Sequence, residues 1–559
     1  MRILSVVTLA GLVVAPTFAA TPSEDVRKVG DLGKVGTVEF PTSCDPALQD
    51  EFERGMALLH SFFYSEARRV FEGVADKDPE CAMAHWGVAM TYYHPLWAPP
   101  DSSELLAGTA AIERAAKAKK QAERERAYIV AMRAYYEGLD VPDLGAAAVA
   151  PSCHGDPGVD YMGRAACFRR EMEKVATAYP DDVDGAAFFA LALLGTAPAG
   201  DPKLKNQQQA AEMLEKWYTR LPDHPGLAHY LIHSYDYPAT AAKGLPAAEA
   251  YADIAPWVPH SLHMPSHIFT RLGMWDETIR SNLASAEAGR KLAQEADVAY
   301  FEEMHALDYL AYGYLQTAQD QKVKALVDYV NGLKGIQPAA DPAGGYAYGA
   351  IPARYALERR LWKEAASLEV PPMTLWGKLP HAEGHRWYAR AIGAAKIGEL
   401  PGARAAAERL EALSKASTDL RFGYFAEKLA IQRRAALALI AFAEGERTEA
   451  IEMLRVEAAA EDSLGKSPVS PGALFPVREL YAEALLDAGK PAEALVQFEA
   501  SLKIYPRRFN GLYGAARAAE KAGKKPEARR YYEQLLELAK PGDSARPELA
   551  EARDHLAKL

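Results

Sequence analysis

Histidines are concentrated in one stretch of this chain, where seven of the fourteen lie within residues 224–305. His229 and His233 are four residues apart in a run with helical character. His263 and His267 repeat this spacing 34 residues later. Side chains four residues apart share one face of a helix. Because neutral imidazole is the commonest protein ligand for transition metals, the two pairs predict a metal site to which both contribute.

A third segment extends this candidate metal site. When the segment is aligned by the turn that follows it, His305, Asp308 and Tyr312 take the positions of His260, His263 and His267. A carboxylate beside histidines can complete a coordination sphere or hold a histidine in one tautomer. These residue types suit zinc, copper or iron, and composition does not separate the three metals. The predicted metal ligands are His229, His233, His263, His267, His305 and Asp308.

Polar and aromatic side chains beside the histidines are predicted to line a ligand-binding surface. Pro265 lies between His263 and His267, so a helix should begin at this proline, with His260 in the segment that enters it. The predicted ligand-binding residues are His260, Tyr230, Asp236, Arg271 and Tyr312. No catalytic residue is predicted, because the chain lacks the GxSxG, GxxxxGKS/T and GxGxxG patterns of common hydrolases, kinases and dinucleotide-binding enzymes.

A structural interpretation of these histidines stays open. The segment is rich in Tyr and Trp, so its imidazoles could serve in hydrogen-bonded packing between helices or line a polar groove for a peptide. A second group, His381, Glu383 and His385, has ligand-competent residue types but contains Gly384 and follows Pro380, which disfavours regular helical geometry. It also differs from the HExxH pattern of zinc peptidases.

The C-terminal end of the chain aligns with itself at a shift of 34 residues, the length of one helix–turn–helix unit. Small residues, turn glycines and aromatic residues recur in this alignment, as Ala482, Gly489, Ala494 and Phe498 and then as Ala516, Gly523, Ala528 and Tyr532. The N-terminal end carries the same types at Gly55, Ala67, Phe71 and Pro79. This pattern resembles the tetratricopeptide repeat (TPR) family. The resemblance implies an all-α fold, a right-handed superhelical solenoid of helix–turn–helix repeats with a concave binding surface.

Three segments of the histidine-rich region narrow this resemblance. HYLIH at 229–233, HMPSHIF at 263–269 and HALDY at 305–309 are similar to segments shared by a group of bacterial exported TPR proteins. Residues 1–19 fit export, because Arg2 precedes an apolar run that ends in small residues, as in a cleavable signal peptide. We therefore expect a periplasmic or extracellular protein that is soluble and has no membrane span after signal cleavage.

The predicted organisation follows from these segments and from stretches rich in Gly, Pro or acidic residues. The predicted parts are a signal peptide (1–19), an N-terminal leader (20–45), N-terminal TPR-like repeats (46–140), a loop insertion (141–165), divergent histidine-rich repeats (166–335), a loop (336–352) and C-terminal TPR repeats (353–559). In an exported chain the cysteines permit three disulfide connectivities, of which pairing of sequence neighbours is the simplest. They are Cys44, Cys81, Cys153 and Cys167.

Charge and motifs leave two functions open. A net charge of -11 without a basic cluster argues against a nucleic acid partner. The first function is an exported scaffold that binds a peptide, a protein or a small molecule on its concave surface, with a histidine-rich metal or ligand site. The alternative is a metalloenzyme that uses a transition metal, zinc, copper or iron, held by His and Asp in the groove.

Overall fold

The structure is a computed structural model that describes residues 33–96, 99–137, 161–198, 200–295, 297–420 and 422–558. The predicted signal peptide and Cys153 lie outside these residues. The end of the predicted loop insertion, from Tyr161 onward, already belongs to a helix. Throughout the described ranges the chain is an all-α helical-repeat solenoid whose strands are limited to one short pair. This confirms the fold class expected from a composition rich in helix-forming residues.

The helices of the N-terminal half pack on their neighbours in sequence. In chain order they are α1 (Gln49–His60), α2 (Tyr64–Lys77), α3 (Ala82–Met90), α4 (Ser102–Lys117), α5 (Glu123–Glu137), α6 (Tyr161–Ala178), α7 (Val183–Gly195), α8 (Lys205–Tyr218), α9 (Pro225–Tyr235), α10 (Leu245–Ile254), α11 (Pro259–His263), α12 (Pro265–Leu272) and α13 (Trp275–Arg290). Short 3-10 turns precede α1 and α10, at Pro46–Leu48 and Ala241–Gly244.

The C-terminal half continues the same arrangement after one short strand. Its helices are α14 (Phe301–Gln316), α15 (Asp320–Gly332), α16 (Pro342–Glu358), α17 (Trp362–Ala366), α18 (Leu375–Lys378), α19 (Pro380–Ile397), α20 (Leu400–Asp419), α21 (Gly423–Glu444), α22 (Arg447–Leu464), α23 (Val477–Asp487), α24 (Pro491–Ile504), α25 (Phe509–Lys521), α26 (Lys525–Leu538) and α27 (Pro547–Leu556). Strands β1 (Val298–Tyr300) and β2 (Gly335–Gln337) pair in parallel, with Ala299 opposite Ile336. They tie the chain before α14 to the chain before α16.

Small residues let aromatic side chains fit between helices in the regular repeats. A Cβ atom added at Gly514 would lie 2.2 Å from Phe498, and one added at Gly87 would lie 2.6 Å from Phe71. Both phenylalanines are at most 1% exposed. Gly489 ends its helix with a φ of +77°, a conformation that glycine adopts without steric cost. The residue pattern that predicted the repeats is therefore a packing requirement.

The stretch predicted as a loop at 336–352 is mostly helix, and this prediction was wrong. Asp341 caps α16 by accepting a hydrogen bond from the Gly344 amide at 2.8 Å, and a proline follows at the first helical position, where a missing N–H costs nothing. The glycines in α16 serve close packing, since a Cβ atom at Gly349 would lie 2.0 Å from the carbonyl oxygen of Ala382. Glycine here marks close helix contact, which a sequence cannot distinguish from a turn.

The described end of the N-terminal leader is extended chain that packs against the helices. Phe40 is fully buried, with its ring stacked near Trp86 at a centroid distance of 6.4 Å. A disulfide joins Cys44 to Cys81, immediately before α3, and so links the leader to the N-terminal repeats. Cys167 is also disulfide-bonded.

The C-terminal repeats return to contact the middle of the chain. Trp275 donates a hydrogen bond from Nε1 to the carbonyl oxygen of Arg507 at 3.0 Å, and Arg546 forms a buried ion pair with Asp320. The segment between α22 and α23, residues 465–476, reaches the histidine-rich helices through Lys466. The inner surface at the histidines is thus covered by protein. Among the described helices, none combines the length and the apolar character needed to cross a bilayer.

Candidate metal centre

Four helices supply the histidines of the candidate site. They come as His229 and His233 from α9, His260 and His263 from α11, His267 from α12 and His305 from α14. Pro265 starts α12, because proline is favoured in the first helical turn and disfavoured further inside. The expectation that a helix begins at this proline is confirmed. The preceding α11 is a short separate helix whose two histidines reach different neighbours.

His229, His233 and His260 form the first triad. The Nε2 atom of His229 lies 3.1 Å from Nε2 of His233 and 3.2 Å from Nε2 of His260. One ring nitrogen from each of the three histidines lies within 4.8 Å of the other two. Imidazoles that bind one zinc ion at about 2.0–2.1 Å have ligand atoms roughly 3.3 Å apart in a tetrahedral site. The spacing of the first triad therefore suits three ligands of one ion.

His263, His267 and His305 form the second triad. The Nε2 atoms of His263 and His267 are 3.0 Å apart, and the rings of His263 and His305 have centroids 4.2 Å apart. Their ligand atoms also lie within 4.8 Å of one another. The spacing of the two HxxxH pairs predicted a shared site for one or two ions. In the structure each pair instead gains one histidine of its own, His260 for the first and His305 for the second.

Hydrogen bonds place the protons of the second triad. Asn282 donates from Nδ2 to the carbonyl oxygen of Thr278 at 2.7 Å, which directs its Oδ1 toward Nδ1 of His263 at 2.6 Å. Because a carbonyl oxygen only accepts, His263 carries its proton on Nδ1. His267 donates from Nδ1 to Oδ2 of Asp236 at 2.9 Å. Both neutral imidazoles then present unprotonated Nε2 atoms, and their lone pairs face each other at 3.0 Å.

His229 is held in the same way in the first triad. Its Nδ1 donates to the carbonyl oxygen of His60 at 2.7 Å, so its Nε2 has one lone pair and can accept one N–H. Nitrogens of both His233 and His260 lie within hydrogen-bond distance of that single atom. A cation that receives a lone pair from each imidazole satisfies both triads. Metal-binding histidines usually donate the other N–H to a fixed acceptor, as these do.

The interior keeps these imidazoles neutral. Five of the six are at most 2% exposed, and His233 is the one that is partly exposed. Burial is the largest cause of lowered pKa values here, and it lowers the pKa of His229 to about 3. Burial and neighbouring imidazoles hold the pKa values of His263 and His305 well below the ordinary value. Neutral imidazole is the form that binds metal, so the site favours metal over protons.

A charged group borders the second triad. Asp236 accepts hydrogen bonds from Nε of Arg271 at 2.9 Å and from Nζ of Lys466 at 2.6 Å, in addition to that from His267. Burial pushes the pKa of Asp236 up, but the charges of Lys466 and Arg271 outweigh burial and hold this pKa below its usual range. Burial lowers the pKa of Lys466 to about 8. Asp236 and Arg271, predicted as ligand-binding residues, thus orient a histidine.

Asp308 lies outside both triads. Its carboxylate oxygens accept hydrogen bonds from Nε of Arg354 at 3.1 Å and from Nη2 at 3.2 Å, and both side chains are fully buried. The prediction of Asp308 as a metal ligand was therefore wrong, because the charge of this carboxylate is paired with the guanidinium of Arg354. Tyr312, predicted to bind ligand, packs edge-on against Trp275 with centroids 5.3 Å apart.

A third group of ligand-competent residues, His60, Asp184 and His224, lies behind the first triad. Nε2 of His60 donates to Oδ1 of Asp184 at 2.7 Å, and its Nδ1 accepts from the hydroxyl of Tyr230 at 3.0 Å. Nδ1 of His224 accepts from the Leu227 amide at 3.4 Å, so the proton on Nε2 faces Asp184 at 3.5 Å. Each of these contacts joins a proton to an acceptor. Tyr230, predicted as a ligand-binding residue, belongs to this group.

No family model and no curated protein matches this chain. Among solved structures, the TPR domain of P58(IPK) is 12% identical over 92% of this chain and 99% of that one, with a TM-score of 0.20. Yeast Tom70 is 12% identical over 91% and 94%, with a TM-score of 0.33. Naa15/Naa10 bound to HypK-THB is 11% identical over 91% of each chain, with a TM-score of 0.24.

The group of His381, Glu383 and His385 does not bring three ligand atoms together as the triads do, within the described ranges. His381 and His385 both lie on α19. The ring of His381 stacks on Phe425 with centroids 4.0 Å apart, and that of His385 lies edge-on to Tyr346 at 4.3 Å. Burial lowers the pKa of His381 to about 3. These contacts are aromatic packing. The irregular geometry expected from Pro380 and Gly384 was wrong, because the whole motif lies within one continuous helix.

Several residues of the site carried no sequence signal. Asn282 and Lys466 act on the triads from other helices and loops, far from the motifs in sequence. Phe62 places its ring 4.4 Å from that of His229 and has a φ of +57°, which is strained for a bulky residue. Tyr309 was recognisable, because it follows His305 by one helical turn within the HALDY segment.

Proposed function

We propose that this protein binds two transition-metal ions, one in each histidine triad. The observation that carries this proposal is the 3.0 Å contact between Nε2 of His263 and Nε2 of His267, where both Nδ1 protons are committed to acceptors. Two facing lone pairs repel, and the low pKa values disfavour a bridging proton. A metal ion between them turns this repulsion into coordination.

The donor set narrows the metal. All six candidate ligands are imidazole nitrogens, which suit zinc, copper, iron and nickel, whereas magnesium and calcium require oxygen ligands. Three protein ligands leave an open position at each ion, as in catalytic zinc sites. Such a centre can bind or activate a small molecule. We therefore favour a metal centre with a small ligand over a peptide-binding surface at this position.

The segment that covers the histidines, residues 465–476, favours a small ligand over a peptide. The hydroxyl of Tyr309 donates to the carbonyl oxygen of Ser470 at 3.0 Å, and Lys466 reaches Asp236 from the same segment. Since five of the six histidines are almost completely buried, a peptide would have to displace this segment to reach them. A small molecule entering beside the partly exposed His233 would not.

Metal quantification tests the proposal. Protein purified without an affinity tag, and reconstituted with zinc, copper or iron, should retain two ions per chain. Replacement of His263 and His267 by Ala removes two ligands of one triad and should leave one ion. His85→Ala is the matched control, because this surface imidazole bonds only to the Pro79 carbonyl oxygen and should leave two ions. Wild-type protein that retains no metal from any of the three would overturn the proposal.

We also propose that the protein is exported. The signal-like pattern of residues 1–19 and the disulfide between Cys44 and Cys81 support an oxidising compartment. The mature protein should begin near residue 20 in an N-terminal sequence determination of material from the periplasm or medium. An intact Met1 in that material would contradict signal cleavage, and recovery of all folded protein from the cytoplasm would contradict export.

A further inference from the structure

The two triads lie side by side, with imidazole rings of one close to those of the other. The rings of His233 and His267, from different triads, have centroids 5.9 Å apart, and those of His260 and His263 are 6.1 Å apart. Within the second triad, the rings of His267 and His305 are 6.3 Å apart. Two-metal sites typically hold their ions about 3.5–4 Å apart with a shared ligand. Ions held by the two triads would therefore lie in neighbouring positions, where they could share a ligand.

The charge around this centre restricts the ions. No carboxylate belongs to either triad. The acids nearby are already balanced, Asp236 by Arg271 and Lys466. Two divalent ions with neutral ligands would leave a large unpaired charge in a buried region, which is costly. The centre therefore favours monovalent ions, or divalent ions that share an added anion. Copper is the imidazole-binding metal with a stable monovalent state.

Access to the centre is limited to small molecules. The ring of Phe62 covers the first triad, with centroid distances of 4.4 Å to His229, 5.5 Å to His260 and 6.0 Å to His233. The backbone of Phe62 is strained, with a φ of +57°. Strained residues persist where the surrounding structure fixes them, often at functional sites. On the other side, Tyr309 packs edge-on to His263 at 4.6 Å. The walls around the open coordination positions are aromatic.

We propose that the two triads bind a pair of copper(I) ions and that the pair binds dioxygen as a bridging peroxide. This inference rests on the proposed metal centre. Each copper(I) gives one electron and becomes copper(II), while dioxygen accepts both electrons and becomes peroxide, with new copper–oxygen bonds and one O–O bond order lost. No proton is consumed. The total charge of the buried centre is the same before and after, so the electrostatic objection to two divalent ions disappears.

Anaerobic loading followed by oxygen tests this inference. Metal-free full-length protein receives two equivalents of copper(I), and excess is removed before dioxygen is added. An oxygen electrode should record one dioxygen per copper pair, with a new near-ultraviolet charge-transfer band. The oxygenated protein should stay silent in electron paramagnetic resonance, because the bridge couples the two copper(II) spins. Removal of dioxygen under vacuum should reverse the band.

Single-histidine variants test whether dioxygen binding requires both copper ions. His305→Ala removes one ligand of the second triad and should abolish dioxygen uptake, and any copper(II) formed should give the signal of an isolated ion. His233→Ala provides the same test in the first triad at a partly exposed position, where less packing is lost. His85→Ala should match the wild-type protein in both measurements. Circular dichroism checks that each variant is folded.

The outcomes distinguish the two proposals. Retention of two copper ions without dioxygen uptake, or with isolated copper(II) signals in the wild-type protein, overturns the dioxygen inference and leaves the metal proposal standing. Two zinc ions that copper(I) cannot replace would overturn it in the same way. Failure to retain any transition metal overturns both.

Discussion

The second triad and the group of His60, Asp184 and His224 each hold three ligand-competent residues within metal-binding distance, and they differ in where their protons lie. In the group of His60, Asp184 and His224, a carboxylate accepts from one imidazole at 2.7 Å and faces the N–H of the other at 3.5 Å. In the second triad, Nε2 of His263 meets Nε2 of His267 at 3.0 Å, and the Nδ1 proton of each imidazole is donated elsewhere. Proximity alone does not identify a metal site. An accounting of donors and acceptors does.

The difference arises from one residue type. An ionised carboxylate only accepts hydrogen bonds, so it can hold two imidazole N–H groups and leave the structure complete without a cation. A third imidazole in the same place offers one donor and one acceptor at most, and its acceptor adds to the repulsion. The group of His60, Asp184 and His224 therefore supports the fold, and the backbone oxygen of His60 also holds His229 at 2.7 Å. In the second triad, by contrast, His263 and His267 direct unprotonated Nε2 atoms at each other.

The largest predicted effect is the loss of thermal stability when a chelator removes metal from the triads, a change that should not involve the group of His60, Asp184 and His224. Wild-type protein should unfold at a lower temperature after metal removal, since each bound ion stabilises the fold by about 2.7 kcal/mol when free metal exceeds Kd about 100-fold. The double variant His229→Ala/His267→Ala, with one change in each triad, should show no chelator-dependent shift in differential scanning calorimetry. His224→Ala should unfold earlier than the wild type yet keep the shift. If the chelator-dependent shift vanished in His224→Ala, the metal would be bound by the group of His60, Asp184 and His224, which would contradict the account.

Acidity provides the second comparison. Burial lowers the pKa of His229 from its ordinary 6.5 to about 3, so between these values the unfolded chain binds a proton that the native protein does not. Stability is therefore full above about pH 6.5 and falls as pH decreases toward 3. Urea unfolding of the metal-free protein at pH 7, 6, 5 and 4 should show this fall. His229→Ala should show a smaller one, and equal slopes would contradict the pKa assignment.

Asp184→Asn should weaken the protein without changing its metal content. The pKa of Asp184 is held below its usual range, since hydrogen bonds from His224 and His60 outweigh the effect of burial. Loss of this buried charge should cost up to about 3 kcal/mol in the free energy of unfolding, measured with urea. Elemental analysis should still find two ions per chain. A loss of one ion would indicate that this group binds metal.

Asn282→Leu should have the smallest effect, confined to one ion. The substitution removes the acceptor that holds Nδ1–H of His263 at 2.6 Å, and loss of such a partner usually weakens metal binding by about 10–100-fold. Titration against a competing chelator should show one weakened ion and one unchanged. Asn206→Leu is the matched control, because Asn206 bonds only to a backbone oxygen in another helix. Equal weakening of both ions would contradict separate triads.

Sequence spacing predicted part of this site, but it did not predict how the six histidines divide into two triads. The four-residue spacing correctly places His229 beside His233 and His263 beside His267, because local helical geometry depends on few residues. The assignment of a third histidine to each pair depends on where Pro265 divides two helices, which brings His260 against α9. That geometry follows from packing between helices and is invisible in a periodic pattern.

Two expectations were incorrect for different reasons. Asp308 was expected among the ligands because it follows His305 by three residues. Its partner, Arg354 at 3.1 Å, lies 46 residues further along the chain, in the predicted C-terminal repeats, and a sequence does not show which arginine packs against a given carboxylate. The start of α16 was expected to be a loop because of its glycines, which serve close helix packing. The regular repeats at both ends were easier, since Phe71 and Phe498 require small partners at fixed spacing.

Anomalous X-ray diffraction from crystals of the reconstituted full-length protein, recorded on both sides of the absorption edge of the bound metal, tests the central claim most directly. We predict two anomalous peaks per chain, one among His229, His233 and His260 and the other among His263, His267 and His305, with none beside Asp184. A peak among His60, Asp184 and His224, or triads without any peak in metal-loaded crystals, would contradict the claim.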